Sequence, residues 1–120
     1  METLYNRIGS DNLKKLVEVF YESIVNHSTI NHLFNSDLNL IKEKQFMFLS
    51  QFLGGPQLYS EKYGHPKMRA RHLPHAIDES AKDEWLRCMK EAIKTLDLEE
   101  GLDEALYNCF PPVAQHMVNR

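Results

Sequence analysis

Residues 66–74 read Pro-Lys-Met-Arg-Ala-Arg-His-Leu-Pro, and the interpretation of the whole chain starts from this stretch. Because proline lacks an N–H and clashes with the preceding turn, Pro66 can open a helix and Pro74 must disturb one. The stretch therefore predicts one short helical segment whose last turn carries His72, with two arginines beside it. Two interpretations stay open at this point. In the first, such a histidine ligates the metal of an anionic cofactor. In the second, the stretch is an ordinary end of a surface helix, where Arg and His interact favourably with the negative end of the helix dipole.

The length and composition predict one globular domain over residues 1–120. Its net charge of −3 gives no general reason to expect a nucleic-acid partner. No apolar run approaches the roughly 20 residues that span a bilayer, and the N-terminus lacks the features of a signal peptide. Cys88 and Cys109 are too few for a disulfide framework, which favours free thiols in a reducing compartment. We therefore expect a cytoplasmic protein without a nucleic-acid or membrane partner.

Apolar periodicity predicts an all-α fold. Spacings of i, i+3, i+4 and i+7 mark amphipathic helices, and no segment shows the sustained alternation of a strand. Residues 57–65 are predicted to form an ordered loop, and Pro111-Pro112 are predicted to kink or split the last helix. The predicted helices are a short turn closing at Gly9, a helix from Ser10-Asp11 to about Val25, one over 37–53, one capped by Asp78 and Ser80, and one from Leu102 to Met117.

Three residues on apolar helical stripes carry hydrogen-bonding tips: Tyr21, Gln45 and Trp85. A buried polar group without a partner costs about 1–3 kcal/mol, so each tip needs one. A bond to a backbone carbonyl would suffice for any single tip. Three such polar groups on three different helices are also consistent with a small-molecule pocket, since such pockets are mostly apolar and contain a few polar groups. Their donors would suit a small ligand that gains negative charge, such as O₂ bound to iron.

Other chemistry-bearing patterns are weaker. His65, His72 and His75 lie close together, and the last two have a spacing that could bind zinc on an uninterrupted helix. Pro74 breaks the helix between them, and no cysteine lies nearby. The Gly54-Gly55-Pro56 sequence follows a helix rather than opening one, so it does not form a phosphate-binding loop.

A series of short motifs runs in order along nearly the whole chain. They are Phe20-Tyr21, Phe34, Gln45, Gln51-Phe52-Leu53-Gly54-Gly55-Pro56, Tyr59-Ser60-Glu61, Gly64-His65-Pro66, Arg69-Ala70-Arg71-His72-Leu73-Pro74, Trp85-Leu86-Arg87-Cys88-Met89 and His116-Met117-Val118-Asn119. The series resembles bacterial truncated haemoglobins of group II, in the family's order and spacing. The resemblance implies a truncated globin, a two-over-two helical sandwich around one haem b.

The resemblance also implies roles for residues near the iron. His72 matches the proximal histidine, whose ring nitrogen binds the metal. Tyr21, Gln45 and Trp85 match positions in the distal pocket. Ile41 matches the position nearest the distal gate, where an apolar side chain cannot hydrogen-bond the ligand.

Further residues are expected to hold the cofactor itself. Phe34 matches the aromatic that packs against the porphyrin, and Phe48 and Met68 are also expected to contact the haem. Arg71 matches an arginine that reaches a haem propionate, with Lys44 as a second cation. His75 departs from the family because an aromatic is frequent there, and Pro111-Pro112 is a second departure.

The implied function is reversible binding of O₂ to ferrous haem, with nitric oxide, carbon monoxide and peroxide as further ligands. A rival hypothesis is a redox enzyme that detoxifies peroxide or nitric oxide with the same haem and an unidentified reductase. The sequence offers no distal histidine or carboxylate base, which counts against efficient peroxidase action. A third hypothesis is a helical interaction module without a cofactor, which predicts a colourless protein.

Overall fold

The computed structural model describes residues 2–27, 29–30, 37–67 and 77–119, without the side chain of His27. These ranges are helical and contain no strand, so the predicted all-α class is confirmed. None of the described helices has the length and apolar character needed to cross a membrane. The helices are α1 (Leu4–Ile8), α2 (Ser10–His27), α3 (Leu38–Phe52), α4 (Leu58–Tyr63), α5 (Glu79–Lys94), α6 (Leu102–Tyr107) and α7 (Pro111–Met117).

Side-chain caps fix where two of the long helices begin. The Asp37 carboxylate accepts hydrogen bonds from two main-chain N–H groups in the first turn of α3, at 3.1 and 3.4 Å. The Asp78 carboxylate accepts one from the Ala81 N–H at 2.8 Å, at the start of α5. All three bonds satisfy donors that a helix N-terminus leaves unpaired. Ser80 lies inside the first turn of α5, so its predicted capping role is wrong.

Helix α2 lies at the centre of the packing. It contacts α1, α3 and α5, whereas α6 and α7 pack on α5. Helices α3 and α5 share no interface of comparable extent with each other. Along α2 the predicted apolar stripe is confirmed except at Val25, which is 39% exposed. The most deeply buried members of the stripe are Leu13, Leu16, Phe20 and Ile24.

The segment over 57–65 contains helix α4, so its prediction as a loop is wrong. A side chain from α3 holds this helix in place. The Gln51 amide donates to the Ser60 hydroxyl at 2.9 Å and accepts from the Ser60 N–H at 2.9 Å. Six residues are too few to show helical periodicity, and the stabilising bonds come from the neighbouring helix α3, nine positions away. The predicted split of the last helix is confirmed, since Pro111 starts α7 as a separate helix.

The glycine pair after α3 permits a close approach of the N-terminal segment. Gly54 has φ of +95°, a left-handed conformation that favours glycine. A Cβ atom on Gly55 would lie 2.5 Å from Cγ of Tyr5, which is closer than such atoms can approach. The Tyr5 N–H donates to the Leu53 carbonyl at 3.0 Å. The residues that follow α3 are therefore docked against α1.

The C-terminal segment is tied to the start of α5. The Ile77 N–H donates to the Asn119 side-chain oxygen at 3.0 Å, and the Asn119 N–H donates to the Ile77 carbonyl at 2.9 Å. Both bonds join residues that are 42 positions apart in the sequence.

Candidate functional site

One face of α3 carries large side chains that the described protein leaves partly open. Ile41, Gln45, Phe48 and Phe52 are spaced by four, three and four residues, which places them on the same side of a helix. The first three are half-buried and Phe52 is 36% exposed, whereas neighbouring Leu49 is 1% exposed. The apolar side of α3 therefore has two parts: one, with Leu49, is buried in the core, and the other is partly exposed to solvent. We call residues 41, 45, 48 and 52 the open face.

Aromatic rings continue the open face of α3 toward α5. Phe48 stacks on Phe52, with ring centroids 5.6 Å apart and planes 16° apart. Phe52 lies 6.0 Å from Phe110, in the connection between α6 and α7, and Phe110 lies 5.8 Å from Trp85 on α5. The rings form a continuous apolar wall from one helix to the other. From the sequence, Phe110 is expected only to lie within the predicted helix from Leu102 to Met117.

Two of the predicted distal residues meet on a shared phenylalanine. The Phe20 ring packs edge to face with Tyr21 at 4.9 Å and with Trp85 at 5.0 Å. Burial raises the pKa of the Tyr21 hydroxyl, so this group stays protonated and can donate a hydrogen bond. Tyr21 and Trp85 thus each pack against Phe20, while Gln45 lies on the open face of the neighbouring helix α3. The linking role of Phe20 could not be inferred from spacing, because Phe20 also fits the core stripe.

A cation lies beside the open face. Lys44 is half-buried, and its ammonium nitrogen lies over the Tyr63 ring, 5.0 Å from the centroid. The Lys62 nitrogen lies 5.5 Å from the same centroid and pairs with the Glu43 carboxylate at 3.4 Å. The hydrogen bond from Lys62 to Glu43 raises the pKa of Lys62. Tyr63 was absent from the predicted site because its segment had been assigned to a loop.

The remaining predicted residues lie outside the described part of the chain. Within the described ranges, no three His, Cys, Asp or Glu side chains gather as metal ligands, and His65 is exposed. The two cysteines are free, as predicted. Outside the described residues lie Phe34, Met68, Arg71, His72 and His75.

The described residues fit a flat apolar group with an anionic edge. The open face offers partly exposed apolar side chains for such a group to cover, and the half-buried Trp85 indole, with its N–H donor, lies at the other end of the aromatic wall. Lys44 provides a positive charge next to the open face. This combination suits haem, whose porphyrin is apolar and whose propionates are carboxylates.

Comparisons with known proteins agree with this fit. The family model described as bacterial-like globin matches residues 3–119. The group 2 truncated haemoglobin YjbI of Bacillus subtilis (strain 168) is 45% identical over 116 residues, which are 97% of this chain and 88% of that protein. A plant relative, group 2 truncated haemoglobin 3-1 of Lotus japonicus, is 32% identical over 96% of this chain and 71% of its own length.

Solved structures show the same fold. The truncated oxygen-avid haemoglobin of Bacillus subtilis superposes with a TM-score of 0.92 at 44% identity, covering 98% of this chain and all of the other. The haemoglobin of Chloroflexus aurantiacus gives 0.93 at 37% identity and covers both chains completely. The predicted truncated globin fold is therefore confirmed. The chain belongs to the bacterial-like globin family, among its group II truncated haemoglobins.

Proposed function

We propose that this protein binds haem b through His72 and reversibly binds O₂ at the iron, with Tyr21, Gln45 and Trp85 lining the distal side. Membership of the truncated haemoglobin family implies a haem protein with small gaseous ligands. The observation that carries the finer proposal is the contact of both Tyr21 and Trp85 with the Phe20 ring, next to an aromatic wall. The description of the Bacillus subtilis structure as oxygen-avid is a statement about that protein, and it favours the same ligand here.

In this proposal each residue has a limited task. When bound, haem supplies the ferrous iron that accepts a diatomic ligand. The His72 imidazole would hold the iron through a ring nitrogen. Ile41 and Phe48, on the open face of α3, would cover the porphyrin. Lys44 offers a charge-assisted bond to a propionate.

The residues outside the described ranges complete the proposed site. Phe34 and Met68 would pack on the porphyrin, and Arg71 would reach a propionate. A guanidinium suits this task because its planar fork matches a carboxylate.

The hydrogen-bond donors on the distal side would determine the rate at which the ligand dissociates. The Trp85 indole N–H and the Tyr21 hydroxyl can each donate to a ligand that gains partial negative charge. A hydrogen bond to a charged group contributes about 1.5–3 kcal/mol, and a neutral one about 0.5–1.5 kcal/mol. Since about 1.4 kcal/mol is a factor of ten, two donors could slow O₂ release by roughly two to four powers of ten. Such slow release suits sensing, scavenging or redox chemistry better than delivery of O₂.

The visible spectrum of the purified protein tests the cofactor and its ligand together. We expect an intense Soret band in the wild type. The band should be lost or strongly altered in His72→Gly and retained in His75→Ala, which is the matched control on the same segment. A colourless wild type would favour the interaction module without a cofactor. Loss of the band in His75→Ala alone would move the iron ligand to the second histidine.

A further inference from the structure

We propose that Tyr63 is a positioning residue, whose aromatic face holds the Lys44 ammonium where it retains haem through a propionate. The inference rests on the proposed function, since it concerns how the same site keeps its cofactor. It assigns a task to the ring of Tyr63, on α4, which the sequence patterns did not mark.

The first step of the argument is the state of Lys44. It is half-buried, yet within the described residues no carboxylate lies within 4 Å of its ammonium nitrogen. Lys42, two positions earlier on the same helix, is paired with Glu18 at 2.9 Å. Lys44 instead lies over the Tyr63 ring. A ring face attracts a cation without neutralising its charge, so Lys44 remains able to bind an anion.

The second step is the position of Lys44 relative to the open face. It follows Ile41 by three residues and precedes Phe48 by four, so it is a helical neighbour of both. A positive charge thus adjoins an apolar surface. A ligand that matches both features carries an anionic group on an apolar body. Haem has this chemistry, because its propionates are attached to an apolar porphyrin.

The third step is that Tyr63 is itself held in place. Its ring lies 5.1 Å from that of Tyr59, which is buried. Two hydrogen bonds between Gln51 and Ser60 attach α4 to α3. The second lysine on the ring, Lys62, already has the Glu43 carboxylate as its partner. Lys44 is therefore the cation of this pair whose charge is left for a ligand.

The experiment compares the rate of haem loss from holoprotein variants to an excess of an apoglobin acceptor. Tyr63→Leu removes the ring, Tyr63→Phe keeps it without the hydroxyl, and Lys44→Met removes the charge. We expect Tyr63→Leu and Lys44→Met each to lose haem about threefold to tenfold faster, and Tyr63→Phe to match the wild type. In the Lys44→Met background, Tyr63→Leu should add little, because both changes remove one interaction.

A matched control uses another lysine and tyrosine pair of the same chain. Lys90 lies 5.7 Å from the Tyr107 ring centroid, and its side chain is exposed on α5. Tyr107→Leu should leave the rate of haem loss unchanged. An equal acceleration in this variant would show a general effect of losing an aromatic residue and would overturn the proposal.

Two further outcomes would overturn the inference while leaving the proposed function intact. If Tyr63→Phe lost haem as fast as Tyr63→Leu, the hydroxyl rather than the ring would be responsible. If Tyr63→Leu accelerated loss equally with and without Lys44, its role would be structural, and the thermal midpoint of its apoprotein would fall in parallel. A wild type without a Soret band would instead remove the proposed function and this inference with it.

Discussion

The Tyr21 hydroxyl is buried on α2, and burial alone raises its pKa. The ordinary tyrosine pKa is near 10, so a raised value keeps the hydroxyl protonated throughout the neutral and mildly alkaline range. We therefore expect the rate of O₂ release to stay constant from about pH 6 to about pH 9. Stopped-flow release across this range checks the prediction. An alkaline acceleration that disappears in Tyr21→Phe would show that the hydroxyl ionises in this range.

Trp85 can be tested by a change that keeps its packing. Its indole lies between Phe20 at 5.0 Å and Phe110 at 5.8 Å, and Trp85→Phe retains an aromatic ring at this place while removing the N–H donor. We expect O₂ release to become about ten to a hundred times faster, which is the value of one hydrogen bond to a charged group. A release rate equal to that of the wild type would exclude Trp85 as a donor.

Single residues also show where sequence reasoning on the site ends. Tyr21 and Trp85 could be selected from the sequence because each places a polar tip on an apolar stripe. The contact of Trp85 with Phe20 depends on how α2 and α5 cross, which periodicity does not encode. Tyr63 was missed because its segment was predicted as a loop and because its partner Lys44 lies on a different helix.

At the scale of elements, the docking of α1 on the end of α3 gives a sharp prediction. In Gly55→Ala the new methyl would overlap the Tyr5 ring and also the Ser50 carbonyl oxygen, so we expect the free energy of unfolding to fall by about 1–3 kcal/mol. In a Tyr5→Ala background the same change should cost less, because the overlapping ring is gone. Denaturant titration of all four proteins measures both costs. Equal costs in the two backgrounds would contradict the proposed overlap.

The helices themselves were largely predictable from local signals. The caps at Asp37 and Asp78 and the proline at the start of α7 each act within one turn, so the sequence alone reveals them. Helix α4 was not predictable, since its support comes from Gln51 on another element. The open face of α3 was also hidden, because apolar residues that face a cofactor and those that face a core have the same spacing.

At the scale of the whole molecule, the proposed haem site predicts that folding is coupled to binding of the cofactor. A ligand that binds only the folded state stabilises it, by about 4 kcal/mol when its concentration is a thousand times its Kd. We therefore expect the holoprotein to unfold at a clearly higher temperature than the apoprotein. Differential scanning calorimetry of the two forms measures the gap. Equal midpoints would mean that Phe48 and Phe52 gain no contacts from the cofactor.

The partly exposed side chains of α3 also affect how long the newly made apoprotein survives in the cell before it binds its cofactor. Large apolar patches on a surface invite aggregation, and proteins of marginal stability are continuously removed by chaperones and proteases. In a cell short of porphyrin, newly made copies would keep the open face of α3 uncovered and would be degraded early. The amount of this protein would then follow iron and porphyrin supply without any change in transcription.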